Sequence, residues 1–164
     1  EDFKEEADKK FFRLKLDGEV RLKAGYIIKA NRVEKDANGE ITTIFATYDE
    51  DSKSGSGTEA SLRKVKGTLH WVSAKHALPI EIRTYERLFT TEQPDAEKEV
   101  DFIQFINPQS LNVTHGFAEP SLKDATLDDH FQFQRIGYYM KDRDSSDETL
   151  VFNRTVTLKD GYKP

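Results

Sequence analysis

The sequence consists of short runs of β-forming residues separated by turn signals, and this pattern most restricts the folds that it can adopt. Residues 19–36 lead into an Asn38-Gly39 turn and a second run at 41–49, which together predict a β-hairpin. Further strands are predicted at about 64–73, 80–83, 110–118, 131–141 and 149–158. Since a β-α-β alternation is lacking, we predict a mainly β fold with short helices, arranged as a closed or nearly closed antiparallel barrel.

Two segments carry helical patterns instead. Residues 1–12 have apolar residues four positions apart and predict a helical lead-in from a missing upstream part. Residues 95–106 place their Phe and Ile side chains on one helical stripe, which Asn107-Pro108 ends. We therefore predict a helical segment at 1–12 and an antiparallel β-barrel region at 13–164, which can include strands that complete a companion barrel.

Composition limits the class of protein. The 164 residues suffice for a core, and 11 Phe, 6 Tyr and one Trp supply bulky side chains for it. Because cysteine is absent, disulfides and Cys-based metal sites are excluded and a reducing cytoplasm is compatible. No apolar run approaches the roughly 18 residues that a membrane span needs. Since the chain begins at Glu1 without a signal-peptide pattern, we expect a fragment of a longer protein. We also expect it to be cytoplasmic and monomeric, without membrane contact.

The net charge of −5 argues against an indiscriminate nucleic-acid binder, but the charge is unevenly distributed. Residues 9–35 contain nine basic and three acidic residues, and residues 63–87 contain six basic and two acidic residues. The acids concentrate at 49–51, 92–101 and 124–129. Such segregation lets one face meet phosphate while another stays anionic, and the alternative is a solvated surface with chance blocks of charge.

No residue pattern predicts catalysis or metal binding. Four histidines lack acidic or histidine partners at metal-ligand spacing: His70, His76, His115 and His130. Gly55-Ser56-Gly57 lacks the third glycine and the strand–helix setting of a phosphate-binding loop. We therefore predict that this chain has no catalytic residue, no metal site and no cofactor of its own.

A combination of basic and aromatic residues suits RNA instead. Unstacked RNA bases bind to aromatic or guanidinium planes and to fixed donors that meet their edges. Arg13, Arg21 and Lys23 lie in the basic N-terminal stretch, where a strand arginine presents a rigid fork to a base edge or a phosphate. Taken singly, each of them is more simply a solvated charge.

The string FQFQRIGYY at 131–139 supplies a second group. In a regular strand Phe131 and Phe133 point to one side, where they are more simply core residues, and Gln132 points to the other. A bulge near 135–137 would turn the guanidinium of Arg135 out beside Gln132.

Six strings, in this order along the chain, resemble the C-terminal anticodon-binding region of bacterial glutaminyl-tRNA synthetases. They are EVRLKAGYIIKANRVEKD, RKVKGTLHWVSAKHALPIEIRTYERLF, NPQSL, GFAEPSLKDA, FQFQRIGYY and VFNRTV. The resemblance covers residues 2–158 and implies a barrel like that of ribosomal protein L25. It also implies that the chain binds the anticodon loop of glutamine tRNA and works with a catalytic domain of the same enzyme. The resemblance implies that this catalytic domain, which is missing here, uses ATP to attach glutamine, and that this chain binds RNA and catalyses nothing.

The resemblance assigns residues to anticodon positions. Arg13 matches the arginine that the family places at the third base. Arg21 and Lys23 match two basic positions at the first base. Gln132 and Arg135 match the pair that meets the middle uracil.

The sequence departs from the family pattern at three positions. Lys23 replaces the usual arginine, which keeps the charge but loses the planar fork. Lys10 stands where the family has a glutamine near the third base, and Phe12 stands at a neighbouring lysine position. Lys10, Lys64 and Lys66 are candidate phosphate contacts.

Two other functions remain open at this stage. A free-standing ribosomal-RNA binder of L25 type would be favoured by a native initiator methionine and a stop codon after Pro164. A protein-interaction barrel that has lost RNA binding is disfavoured by the retained residues Arg13, Arg21, Gln132 and Arg135.

Overall fold

Strands are the main element of the computed structural model, which describes residues 2–96 and 98–159. They divide between two units, Glu1–Trp71 and Val72–Pro164, each with its own sheet and core. The prediction of a mainly β protein with short helices is confirmed. The sheets are not closed, so the predicted barrel is not confirmed.

The first unit contains a four-stranded sheet and a small two-stranded one. Its strands are β1 (Phe3–Lys4), β2 (Leu14–Lys15), β3 (Glu19–Leu22), β4 (Ile27–Lys35), β5 (Ile41–Tyr48) and β6 (Thr68–Leu69). The larger sheet has the order β5-β4-β3-β6, in which β6 runs parallel to β3 and the other pairs are antiparallel. A 3-10 helix at Glu50–Ser52 and helix α1 (Glu59–Leu62) lie in the connection from β5 to β6. The core cluster of the first unit contains Leu14, Val20, Ala30 and Leu69.

The hairpin predicted around Asn38-Gly39 is formed by β4 and β5. The carboxylate of Asp36 accepts hydrogen bonds of 2.9 Å from the backbone N–H groups of Asn38 and Glu40. Gly39 has φ +85°, a conformation that glycine adopts without steric cost. Local residues therefore determine this turn, which is why the sequence predicts it.

Two predicted elements of the first unit differ from the structure. Residues 2–12 form no helix; β1 pairs with β2 in parallel, and Phe3 packs against the core cluster. Burial of that aromatic ring outweighs the weak helical pattern. The strand predicted at 64–73 is limited to β6, in which Leu69 is buried and Thr68 is exposed, and Trp71 near the end of the predicted range is 44% exposed.

The second unit contains one five-stranded mixed sheet of order β8-β7-β11-β10-β9, with strands β7 (Leu78–Tyr85), β8 (Leu111–Ala118), β9 (His130–Phe133), β10 (Gly137–Lys141) and β11 (Leu150–Thr157). β11 runs parallel to β7 and antiparallel to β10. The expectation of a purely antiparallel arrangement is therefore wrong for this pair. The sequence could not show it, since the parallel partners lie about seventy residues apart.

Tyr139 and Phe152 form the centre of the second core, at 1% and 0% exposure. Phe133 stacks on Tyr139 with ring centroids 4.3 Å apart, and Phe131 meets Phe152 edge-on at 6.0 Å. The interpretation of Phe131 and Phe133 as core residues is confirmed. A 3-10 helix at Pro120–Asp124 contributes Leu122 and is followed by its C-cap residue Ala125, and both belong to the same buried cluster.

The helix predicted over 95–106 is reduced to one 3-10 turn at Phe102–Phe105 in the part that the structure describes. Asp101 caps that turn, accepting a 3.0 Å hydrogen bond from the backbone N–H of Ile103. The helical turn therefore begins after Asp101, whereas the predicted helix continued through that residue. None of the described helices is both long and apolar enough to cross a membrane.

Candidate nucleic-acid interface

A basic cavity of about 470 Å³ lies in the first unit between segments 9–15 and 63–67. Six cationic side chains line it: Lys9, Arg13, Lys15, Arg63, Lys64 and Lys66. The structure therefore brings together three predicted site residues, Arg13, Lys64 and Lys66. Lys10 is exposed on the same segment and is outside the lining.

Glycine at position 67 allows the two segments to approach each other. A Cβ atom there would lie 2.3 Å from the carbonyl oxygen of Phe12 and 2.9 Å from Cγ1 of Val20. The Gly67 carbonyl also accepts a 2.9 Å hydrogen bond from the backbone N–H of Arg21. Any side chain at position 67 would push one wall of the cavity outward, so glycine shapes the site.

Arg63 adds little net positive charge to the cavity, because two carboxylates pair with it. Its guanidinium lies 2.6 Å from Glu19 and 3.4 Å from Asp49. The hydrogen bond from Arg63 holds the pKa of the Glu19 carboxyl below its usual value, and the same pair raises the pKa of Arg63. Arg13 contacts Asp2 at 3.2 Å. Among the described residues, no ion pair engages the four cavity lysines, which are Lys9, Lys15, Lys64 and Lys66.

Arg21 directs its guanidinium into the protein. Nη1 donates to the Ser52 carbonyl at 2.7 Å and the Ser54 hydroxyl at 3.2 Å. Nη2 donates to the carbonyls of Ser61 at 2.9 Å and Arg63 at 3.2 Å. A guanidinium has five N–H groups. The four bonds from Nη1 and Nη2 fasten the connection that contains α1 to β3. Its predicted contact with the first base stays a prediction, with one donor remaining for it.

We expect Arg21→Met to lower the free energy of unfolding of the first unit by at least about 1.5 kcal/mol. The substitution keeps an unbranched stem but leaves three backbone carbonyls without their charged donor. Urea unfolding followed by the fluorescence of the single tryptophan, Trp71, measures this change. Lys23→Met is the matched control and should change stability by less than about 0.5 kcal/mol, because Lys23 is exposed. Equal stability of the two variants would contradict the fastening role.

Lys23 has an exposed side chain on a fixed backbone. Its N–H donates to the Leu69 carbonyl at 2.8 Å, and its carbonyl accepts a 3.1 Å hydrogen bond from the Trp71 indole. The ammonium group is thus presented to solvent from a rigid strand end, as a contact to phosphate or to a base requires.

In the second unit, Gln132 and Arg135 belong to a hairpin formed by β9 and β10. The predicted bulge near 135–137 is replaced by a three-residue turn, 134–136, in which Arg135 has φ +64°. The register shift lies further on, between Tyr138 and Tyr139 on the β11 side. The hairpin ends where it does because Ile136 N–H closes the turn onto the Phe133 carbonyl at 2.9 Å.

Gln132 stands on the exposed face of this hairpin, directly opposite Tyr138. Tyr138 is 42% exposed. Side chains opposite each other in an antiparallel pair have Cβ atoms about 4.5–5.5 Å apart, so the amide and the phenol ring form one surface. Arg135 is exposed at the turn that follows. The hairpin therefore offers an amide, a ring and a guanidinium to a ligand.

A hydrogen-bonded carboxylate lies on each side of the hairpin, one before β9 and one after β10. Asp129, just before β9, accepts hydrogen bonds from the N–H and hydroxyl of Thr126 at 2.7 and 2.8 Å, which lower the pKa of its carboxyl. The pKa of Asp142 after β10 is lowered by the backbone N–H of Asp144 and by the side chain of Asn153. Among the residues that the structure describes, no group of three or more His, Cys, Asp or Glu side chains is arranged to hold a metal ion.

The sequence predictions did not single out Lys9, Lys15 or Tyr138. Lys9 and Lys15 belong to the basic stretch 9–35, but charge density does not show which of its members face one cavity. Tyr138 alternates with the buried Tyr139 in the string GYY, and this alternation could have indicated an exposed ring.

Two parts of the chain, residues 2–49 and 68–142, match the family of class I tRNA synthetases (E and Q), anti-codon binding domain. The chain is 58% identical over 162 residues to glutamine–tRNA ligases from Escherichia coli (strain K12 / DH10B) and Shigella boydii serotype 18. These alignments cover 98% of this chain and 28% of each relative. The chain thus spans a little over a quarter of the length of the relatives that it matches.

These matches define the chain as an RNA-binding domain of the aminoacyl-tRNA synthetases. The chain belongs to the anticodon-binding domain family of the class I enzymes for glutamate and glutamine. Within that family its sequence is similar to glutamine–tRNA ligases, of which it matches the anticodon-binding part.

Proposed function

We propose that this chain reads the anticodon of glutamine tRNA as the RNA-binding part of a cytoplasmic, monomeric glutamine–tRNA ligase. The ligase attaches glutamine to the tRNA with ATP in a catalytic domain of the same polypeptide, and this chain binds RNA without taking part in the chemistry. The identity of 58% over 98% of the chain to glutamine–tRNA ligases carries the proposal and favours it over a free-standing ribosomal-RNA binder.

The arrangement of the residues supports different roles for the cavity and for the β9–β10 hairpin. The cavity concentrates Lys9, Lys15, Lys64 and Lys66, which suit phosphates, together with Arg13, which the family resemblance assigns to the third base. The hairpin presents Gln132 and Arg135, which the family resemblance assigns to the middle uracil. Phosphate contacts supply affinity and position, whereas contacts to base edges supply specificity.

We expect Lys64→Ala to reduce the salt dependence of RNA binding. Each phosphate neutralised by the wild-type chain contributes about 0.7–0.9 to the slope of log affinity against log salt concentration, so the slope should fall by about that amount. Fluorescence anisotropy of a labelled anticodon stem-loop of glutamine tRNA, titrated with the chain at several salt concentrations, measures the slope.

Lys53→Ala is the control for this experiment, because Lys53 is an exposed lysine of the same unit that does not line the cavity. It should leave the slope unchanged. Wild-type binding without any salt dependence would contradict electrostatic docking at the cavity, and equal slopes for the two variants would remove Lys64 from the contact.

A further inference from the structure

Phe12 presents an exposed aromatic ring in the wall of the basic cavity. Its side chain is 53% exposed, whereas the adjacent Phe11 is half-buried, with Nζ of Lys4 lying 5.2 Å from its ring centroid. More than half of the Phe12 surface thus stays in water, where its apolar area contributes little to the stability of the fold.

The surroundings of this ring are cationic. Nζ of Lys66 lies 5.9 Å from the ring centroid, and Lys9, Lys15 and Lys64 line the same cavity. Proteins bind single-stranded nucleic acid with this pairing, in which an aromatic ring takes the face of a base and nearby cations take the backbone phosphates. The cavity of about 470 Å³ lies in the size range of small-ligand sites, about 300–1,000 Å³.

The backbone that carries the ring is held in place before any ligand binds. The Phe12 carbonyl packs against Gly67, in space that a Cβ atom at position 67 would need. Two residues further on, Leu14 of β2 is buried in the core. A ring on a fixed backbone loses only its own side-chain freedom when a base stacks on it.

We propose that Phe12 is a stacking platform for one unstacked base of the anticodon loop, with the cavity lysines holding phosphates of the adjoining backbone. This inference rests on the proposed function and adds to it the residue that binds a base by its face. Because every base has a π-face, the contact contributes affinity, and discrimination between bases is left to groups that meet base edges.

The test compares Phe12→Leu with Phe12→Tyr in binding to the anticodon stem-loop of glutamine tRNA. Phe12→Leu keeps an apolar side chain but removes the aromatic plane, so its affinity should be about tenfold lower, as for the loss of one base–aromatic stack. Phe12→Tyr keeps the plane and should bind like the wild type. Thermal unfolding followed by Trp71 fluorescence should be the same for all three chains, since position 12 is exposed.

A second arm identifies the base. Each loop position in turn is replaced by an abasic nucleotide, and at one position the abasic RNA should bind the wild-type and Phe12→Leu chains equally. A 2-aminopurine at that position should be quenched on binding to the wild type and Phe12→Tyr, and not on binding to Phe12→Leu.

The outcomes separate the inference from the function on which it rests. If the wild-type chain does not bind the stem-loop, the proposed function fails and the stacking role fails with it. If the wild type binds and Phe12→Leu binds equally well, the stacking role alone is overturned. If Phe12→Leu lowers the affinity for every abasic RNA as much as for the intact stem-loop, the stacking role is also overturned, because Phe12 would then contact no base.

Discussion

Replacing Arg135 by glycine in the complete ligase is expected to reduce the preference for a tRNA with a middle uracil over one with a middle cytosine by about tenfold to a hundredfold. A guanidinium donates to the O4 carbonyl of uracil, whereas cytosine has an amino donor at that position. The two donors would oppose each other, which costs about 1–3 kcal/mol at a desolvated contact. The ratio of charging efficiencies, kcat/KM, for the two tRNAs measures the preference.

Glycine is the informative replacement at this position. Arg135 has φ +64°, which is unfavourable for a residue with a Cβ atom and open to glycine. Arg135→Gly therefore removes the guanidinium without adding backbone strain to the turn at 134–136. Lys64→Ala is the control and should lower charging of both tRNAs about equally. If Arg135→Gly also lowers both tRNAs by one factor, Arg135 holds the RNA backbone and does not read the base.

Replacing Phe152 by alanine should destabilise the second unit by about 3–5 kcal/mol, the usual cost of removing a fully buried aromatic side chain. The ring fills the space between Phe131 and Phe133, whose ring centroids lie 6.0 and 5.4 Å from its own. Because both partners belong to β9, the loss should loosen the hairpin that carries Gln132. Native-state amide hydrogen exchange of β9, β10 and β11 measures the change residue by residue.

Phe117→Ala is the matched control, since the same side chain is removed from a position that is 70% exposed on β8. Its effect on stability should be below about 0.5 kcal/mol. If both variants lose protection to the same extent, the hydrophobic cluster around Phe152 does not stabilise the hairpin.

The sequence predicted the strands and turns that depend on neighbouring residues. The β4–β5 hairpin follows from Asp36 and Gly39, which determine their turn within five residues. The assignment of Phe131 and Phe133 to the core follows from strand alternation. Helices were predicted less well, because the patterns at 1–12 and 95–106 are short and tertiary burial or a cap at Asp101 overrides them.

By itself, the sequence determined the mainly β class, the family and the residues that are candidates for binding RNA. Only the tertiary structure decided how those residues are used. It brings segments 9–15 and 63–67 together in one cavity, turns the guanidinium of Arg21 inward and leaves Phe12 exposed beside Lys66. These arrangements depend on backbone approach and hydrogen bonds between residues about thirty to fifty-five positions apart, such as Gly67 against Phe12, and no local pattern or periodicity encodes them.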